Sequence, residues 1–339
     1  MMSMMVLQLD QSAYENGKKS GEYFKRTMSL EALKQALGSD KKRKWNNQYE
    51  ALLLRLKKEY PRYYDEIRGK AVGLQVDFKE YFMLMCPELS QIQKEQCTTI
   101  LCKKENGHYL LCHNEDDRYI EGNFCLAKVK VDEKHWFVTN DMVNMPFGNG
   151  ISWNSDGIVK TINYTHEESF NENELPRYFK QRYLSEASSI EDCIERCKKM
   201  KTASGFHVNI IDLKSHQAAS IEVYKEDVSV KWIKDFAVHS NHYVYNEYSQ
   251  KPKCDEGSNS LFRYHQALKM MKESQKEAGC IKNILDYQGI DVMHSIYQDE
   301  NAEQRTIFNF LFDTECPEKI KLDIYVLNEK KTLDYFKLD

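Results

Sequence analysis

Three stretches of this sequence hold side chains that could act together on a carbonyl group. The first is Cys97-Thr98-Thr99-Ile100-Leu101, a thiol followed by two threonines and two aliphatics, which reads as the start of a β-strand. If the Gln96–Cys97 bond were cut, this thiol would stand at a chain N-terminus. Its freed α-amino group, ordinarily titrating at about 7.7–8.0, would then serve as its general base. The second stretch is His113-Asn114-Glu115-Asp116-Asp117-Arg118, carried back beside Cys97 by a hairpin at Asn106-Gly107. Asp116 is the carboxylate placed to hold the new ammonium, as a triad carboxylate orients its histidine. The third is Val238-His239-Ser240-Asn241-His242-Tyr243. There Asn241 offers an amide N–H to a developing oxyanion. Read as a strand, the run puts His239 and Asn241 on one face and His242 on the other.

Each stretch also has a plainer reading. Cys97 can be a buried strand residue, the acidic cluster a solvated turn, and Asn241 a hydrogen-bonded core amide. Metal binding by His239 and His242 runs against strand alternation. A zinc site from Cys102, Cys112 and His113 lacks the paired spacing that chelation favours. Asn163-Tyr164-Thr165 is formally a glycosylation sequon, but with no export signal it reads as strand. The sequence has no phosphate-binding glycine loop, no G-x-S-x-G elbow and no H-E-x-x-H motif.

The elements that must position these groups follow from periodicity. A short strand is expected over residues 5–9. Ser12 caps a helix through Arg26, on which Gly17 and Gly21 share one face and permit close packing. Further helices are expected over residues 29–37 and 42–60, from Pro61 to Gly73, and from Asp77 to Cys86, where Pro87 ends the run. From Cys97 the period changes to that of strands: 98–103, 109–113, 123–131, 135–140 and 158–163. Two helices over 175–186 and 189–200 interrupt them, the second with a Ser189…Asp192 capping pattern. Strands resume at 206–213, 219–224, 229–232 and 238–245. A long helix over 258–278 ends at Gly279. The strand pair 306–312 and 320–327 precedes a polar tail of twelve residues. Strand runs broken by a block of helices fit an α+β protein with helices packed outside its sheets.

Composition narrows the class. The 339 residues are 41% hydrophobic and 12% aromatic, with 21 Tyr, enough for a sizeable core. The net charge of -4, with both signs interspersed, argues against a nucleic-acid partner. No apolar run is long enough to span a membrane. Met1 to Leu9, interrupted at Asp10, is too short for a signal peptide. Ten scattered Cys without export then read as reduced thiols in the cytoplasm.

Taken together, several stretches resemble one family along residues 5–327. Tyr14-Glu15-Asn16-Gly17 with Gly21, the Tyr60-Pro61…Tyr63-Tyr64…Gly69 helix start, Cys97-Thr98-Thr99, Asn106-Gly107 and Asn114-Glu115-Asp116 match its motifs in order. So do Asn154-Ser155-Asp156-Gly157, Asn163-Tyr164, His239-Ser240-Asn241-His242 and the closing Thr306…Asn309…Asp313. The chain is similar to the peptidase C45 family of N-terminal nucleophile hydrolases. That resemblance implies a four-layer αββα sandwich made as a precursor that cuts itself before the cysteine. Residues 1–96 would be a helical pro-segment or α chain, and residues 97–339 a catalytic β chain, the two forming one structural unit. It implies Cys97 as nucleophile and base, Asp116 bonded to the α-amino group, and Asn241 at the oxyanion, with no cofactor and no metal. The substrate would be a small N-acyl amide or an acyl thioester donor; the mildly acidic chain does not favour acyl-coenzyme A. A homodimer is left open. The sequence departs from the family at Gln96, where the family has Gly, a residue that tolerates strained backbone. Arg118 and Arg305 are candidate pocket cations. Two rival readings remain: a non-catalytic ligand-binding member, and a thiol hydrolase that uses unprocessed Cys97 with His113 or His239 as base.

Overall fold

The computed structural model describes residues 6–38, 43–90, 96–167, 169–224, 227–245, 258–316, 320–326 and 329–334. Ahead of Cys97 lie helices α1 (Ala13–Thr27), α2 (Leu30–Ala36), α3 (Asn47–Glu59), α4 (Pro61–Leu74), α5 (Phe78–Leu84) and α6 (Pro87–Ser90). Local chemistry sets their ends. Ser12, Asn46 and Asp77 each accept a first-turn backbone N–H, and Pro61 occupies the first turn of α4. Pro87 does more than end α5, since it opens α6 in turn.

The glycines Gly17 and Gly21 of α1 face Gly69 and Gly73 of α4, and the two helices touch backbone to backbone. A Cβ added to Gly17 would lie 1.9 Å from the Glu66 carbonyl oxygen, and one added to Gly69 would lie 2.0 Å from that of Tyr14. No other residue type fits this crossing without moving a helix.

Two sheets form the centre. One runs in the order β1 (Leu7–Leu9), β4 (Cys125–Lys130), β5 (Trp136–Asp141), β6 (Ser152–Asn154), β7 (Ile158–Tyr164), β8 (Phe206–Asp212), β9 (Gln217–Tyr224) and β10 (Asp227–Trp232). The other runs β11 (Phe236–His239), β2 (Gln96–Lys103), β3 (Tyr109–Asp117), β12 (Arg305–Asp313), β13 (Ile320–Val326) and β14 (Glu329–Asp334). β1 pairs with β4 in parallel, and the neighbouring strands of the hairpins pair antiparallel. Leu101, Leu111, Val138, Trp153 and Phe310 fill the space between the sheets. On the outside of the first sheet pack α1–α5, and beside them α7 (Arg177–Leu184) and α8 (Ile190–Lys199). On the outside of the second, Ala267 and Met271 of α9 (Ser260–Glu273) and Ile281 and Ile284 of α10 (Ala278–Leu285) meet Ile100, Cys102 and Cys112. The layers are helix, sheet, sheet, helix: the expected αββα sandwich.

The helical layer is also held by buried charge. Lys70 Nζ meets Asp141 Oδ1 at 2.6 Å, and Arg182 forks onto Glu66 at 2.6 and 2.9 Å. Breaking one partner of such a pair leaves an uncompensated buried charge, at a cost of roughly 3–5 kcal/mol.

Several expectations are corrected. The run from Val238 is strand only to His239, so Asn241 and His242 lie beyond β11 and strand alternation does not set their faces. The helix expected over 258–278 ends early, at Glu273, and Gly279 sits inside a separate helix, α10, rather than ending one. The polar tail contributes β14, paired along β13. The expected strand at residues 109–113 continues to Asp117. Residue 42 of the helix expected over 42–60 lies outside the described residues, and residues 43–46 are not helical: α3 begins at Asn47, capped by Asn46.

Two outcomes follow. Gly17→Ala and Gly69→Ala should each destabilise the fold by several kcal/mol, seen as a lowered urea midpoint, because backbone stands where the new methyl must go. Lys180 in α7 is fully buried and its Nζ has no hydrogen-bond partner among the described residues. Burial holds its ammonium down to about 8. A lysine depressed in the folded state binds fewer protons there than when unfolded, so its cost is complete below that pH and fades as pH rises toward about 10.4. Lys180→Met should therefore raise thermal stability at pH 7 by on the order of 2 kcal/mol, with the gain shrinking above pH 8.

Candidate active site

The site is built on the pairing of β2 with β3. In their register Gln96 lies opposite Asp116, Cys97 opposite Glu115, and Thr99 opposite His113. Leu101 and Leu111 belong to the core between the sheets. Strand alternation then puts Cys97, Thr99, His113 and Glu115 on that same inner face, and Thr98, Asn114 and Asp116 on the face toward α9 and α10.

On the inner face the polar groups form a continuous chain. Cys97 Sγ lies 3.6 Å from Glu115 Oε1, and Glu115 Oε2 lies 3.0 Å from His113 Nε2. His113 Nδ1 is 2.7 Å from Thr99 Oγ1, which donates to Asn163 Oδ1 at 2.8 Å. Asn163 Oδ1 in turn is 3.3 Å from His207 Nδ1, and the His207 ring stacks on His239 at 3.5 Å. His239 completes the run on Glu222 Oε1 at 2.9 Å. Burial pushes His113 down to about 3, and His207 well below the usual histidine range. Both imidazoles are therefore neutral and act as hydrogen-bonding groups at neutral pH. Asn163 is wholly buried in β7, as the strand reading of the sequon expects.

The backbone of Cys97 is gripped from the other side. Its N–H donates to Asn241 Oδ1 at 3.0 Å. Arg263 of α9, itself fully buried, donates to Cys97 O at 2.5 Å, Thr98 Oγ1 at 2.7 Å, Asn241 Oδ1 at 2.6 Å and Gln96 Oε1 at 3.0 Å. Asn259, one turn earlier, takes its Nε–H at 2.7 Å. Asn241 Nδ2 donates to Tyr164 O at 2.9 Å, which ties the loop after β11 to β7 in the facing sheet.

Asp116 lies on the α9 side. Its Oδ1 accepts from Thr306 Oγ1 at 2.6 Å; its Oδ2 makes no hydrogen bond among the described residues and stands 3.9 Å from Arg263 Nη1. Burial raises its carboxyl to about 7, with Arg263 pulling the other way.

Of the residues singled out in the sequence, Cys97 and Asn241 are hydrogen-bonded to Arg263, and Asp116 stands 3.9 Å from it. The acidic cluster is no solvated turn: His113, Asn114, Glu115 and Asp116 are all buried in β3. Cys102 and Cys112 face α9 and α10, on the opposite side of the sheet from His113, so those three do not meet. The metal-type grouping that does form is Cys97, His113 and Glu115, whose ligand atoms all lie within 4.8 Å of one another. His242 turns to Ser260 Oγ at 2.8 Å, away from His239. Arg305 lies over the Tyr119 ring at 3.8 Å, and the guanidinium at Cys97 is instead that of Arg263. Arg263 carried no signal in the sequence. It stands in the first turns of a helix between Phe262 and Tyr264, and only the packing of α9 on β2 brings it to Cys97.

Comparison with known proteins adds the following. Residues 102–331 match the model of the acyl-coenzyme A:6-aminopenicillanic acid acyl-transferase family. The matched stretch holds His113, Glu115, Asp116, Asn241 and Arg263 and begins inside β2, just past Cys97. The chain is 27% identical over 172 residues to the beta-alanyl-dopamine/carcinine hydrolase of Drosophila melanogaster. That alignment spans 44% of this chain and 44% of the fly protein, less than half the length of either. Among solved structures it resembles a variant of conjugated bile acid hydrolase from Clostridium perfringens, with a TM-score of 0.43 at 14% identity over 72% of this chain and 97% of that one. It also resembles penicillin V acylase from Agrobacterium tumefaciens, with a TM-score of 0.43 at 13% identity over 70% of this chain and 86% of that one. The family model covers more than half of the chain, the polar residues grouped around Cys97 on β3 and α9 included, and on that ground the chain belongs to the acyl-coenzyme A:6-aminopenicillanic acid acyl-transferase family.

Proposed function

We propose that this protein is an N-terminal nucleophile amidohydrolase or acyltransferase in which Cys97 is the nucleophile. The observation that carries the reading is the grip on one residue's backbone: Asn241 on the Cys97 N–H and Arg263 on the Cys97 carbonyl, both buried. A core cysteine needs no such fixing, whereas a nucleophile that must meet a carbonyl at a set angle gains from it.

In this reading Cys97 Sγ first attacks the Gln96 carbonyl carbon. The C–N bond breaks, the α-amine takes the proton, and water hydrolyses the resulting thioester. Residues 1–96 become an α chain and 97–339 a β chain. The family's Gly is not required by the backbone here. Among the described residues, positive φ at non-glycines occurs at Gln75 and His216, and Gln96 lies in extended β2. Its side chain is used instead, as an acceptor for Arg263.

The same thiol then attacks the amide or thioester carbonyl of a small acyl substrate. The free amine of Cys97 takes the thiol proton and passes it to the leaving group. Asn241 Nδ2, with two hydrogens and one bond to Tyr164 O, keeps an N–H for the oxyanion. Asp116, opposite Gln96 and with a buried oxygen that makes no hydrogen bond among the described residues, is the counter-charge for the new ammonium. Water as acceptor gives hydrolysis and an amine gives transfer. The hydrolase reading draws support from the fly relative, and the transferase reading from the family model.

A second reading has its own observation. Glu115 bridges Cys97 Sγ and His113 Nε2, so an uncut Cys97 already has a carboxylate and an imidazole beside it. That arrangement favours the unprocessed thiol hydrolase over the ligand-binding member.

Intact-mass spectrometry of the purified protein beside Cys97→Ala separates the two. Fragments meeting at Gln96–Cys97, absent from the variant, are expected; a single full-length mass with amidase activity intact would establish the unprocessed enzyme instead. Arg263→Gln should slow the cut about 100-fold while leaving the circular dichroism spectrum of the fold unchanged. Cutting at the wild-type rate in that variant would remove Arg263 from the mechanism.

A further inference from the structure

The inner-face trio of Cys97, His113 and Glu115 has a property that nucleophilic chemistry does not use. Thr99 Oγ1 spends its only hydrogen on Asn163 Oδ1 at 2.8 Å, so at 2.7 Å it accepts from His113 Nδ1–H. The neutral imidazole then presents Nε2 as a bare lone pair, aimed at Glu115 Oε2 3.0 Å away. Two acceptors facing at that distance are held together by a shared proton, and a cation can take that proton's place. The third donor, Cys97 Sγ, lies 3.6 Å from the other oxygen of the same carboxylate.

We propose that Cys97 Sγ, His113 Nε2 and the Glu115 carboxylate form a binding site for a thiophilic divalent cation of the zinc class, and that occupation switches the nucleophile off. The donor set is one sulfur, one nitrogen and one oxygen, the combination that zinc takes. A tetrahedral zinc at ordinary bond lengths needs donors roughly 3.4–3.6 Å apart. The separations of 3.6 and 3.0 Å and the common 4.8 Å limit are within a small side-chain adjustment of that. All three sit on adjacent paired strands, which hold them rigidly. The Thr99 contact to Nδ1 fixes the imidazole tautomer, as an outer partner does in zinc sites. Glu115, at 7%, is the most exposed of the three. Binding displaces the thiol proton to solvent and engages the sulfur lone pair, so a carbonyl can no longer be attacked. The inference rests on the proposal that Cys97 is a reachable nucleophile, and its test separates the two.

The probe is Co²⁺ added to the purified protein as it is isolated, followed by Zn²⁺. One equivalent of Co²⁺ should give the intense near-ultraviolet band of thiolate-to-cobalt charge transfer, which Zn²⁺ then bleaches. The band should vanish in Cys97→Ala, persist in Cys112→Ala, whose thiol faces α9, and require about 10–100-fold more cobalt in Thr99→Val. Glu115→Gln, which keeps the side-chain volume, should also weaken it. Alkylation of Cys97, located by peptide mass spectrometry, should be blocked by Zn²⁺ and restored by a chelator. No band, or a band that survives Cys97→Ala, overturns the cation site. If Cys97 is alkylated in that case, the nucleophile reading stands; if it resists alkylation in the absence of metal as well, both fall.

Discussion

A single buried guanidinium holds this site together. Arg263 sits at zero exposure and spreads its donors over Cys97 O, Thr98 Oγ1, Gln96 Oε1, Asn241 Oδ1 and Asn259 Oδ1. A buried charge is tolerable only when it is fully engaged. That requirement dictates the neighbourhood. β2, the loop after β11 and the first turn of α9 must all arrive at one point, each with an oxygen turned toward it. The Asp116 carboxylate stands 3.9 Å away.

The rest of the fold serves that convergence. The glycine crossing of α1 and α4 lets the helical layer lie close, the Arg182–Glu66 pair ties α7 to α4, and the Lys70–Asp141 pair joins the layer to the sheet of eight. The space between the sheets changes character along its length. Near Trp153 and Phe310 it is an ordinary apolar core. Near Cys97 it becomes a chain of hydrogen bonds through Glu115, His113, Thr99, Asn163 and His207. Polar groups so placed carry a desolvation cost, and nearly every one finds a partner along the chain. A core of this kind contributes less to stability than an apolar one would. It is the kind of place where function is put.

The two faces of β2 divide the labour. The inner face carries the thiol and the carboxylate–imidazole pair. The outer face and the backbone carry the grip of Arg263 and the reach of Asp116. Because strand neighbours alternate, a slip of one residue between β2 and β3 would exchange the two sets. The register that sets Cys97 opposite Glu115 and Gln96 opposite Asp116 is therefore as much a part of the site as any side chain.

Much of this was legible in the order of residues. Caps at Ser12, Asp77 and Ser189, Pro61 at a helix start, the Asn106-Gly107 hairpin and the change of period at Cys97 are local features, and local chemistry decides them. The pairing of the Cys97 strand with the acidic strand followed from the hairpin, and Gly17 and Gly21 announced a close helix crossing. What sequence could not reach was anything decided by packing between distant segments. Whether residues 113–116 were a solvated turn or a buried strand depended on a second sheet and two helices closing over them. The end of β11 at His239, which frees Asn241 to turn back on Cys97, depended on Tyr164 in the opposite sheet. Arg263 is 166 residues from Cys97 along the chain. No periodicity or motif marks a cation whose role is defined only by the oxygens that surround it once the chain has folded.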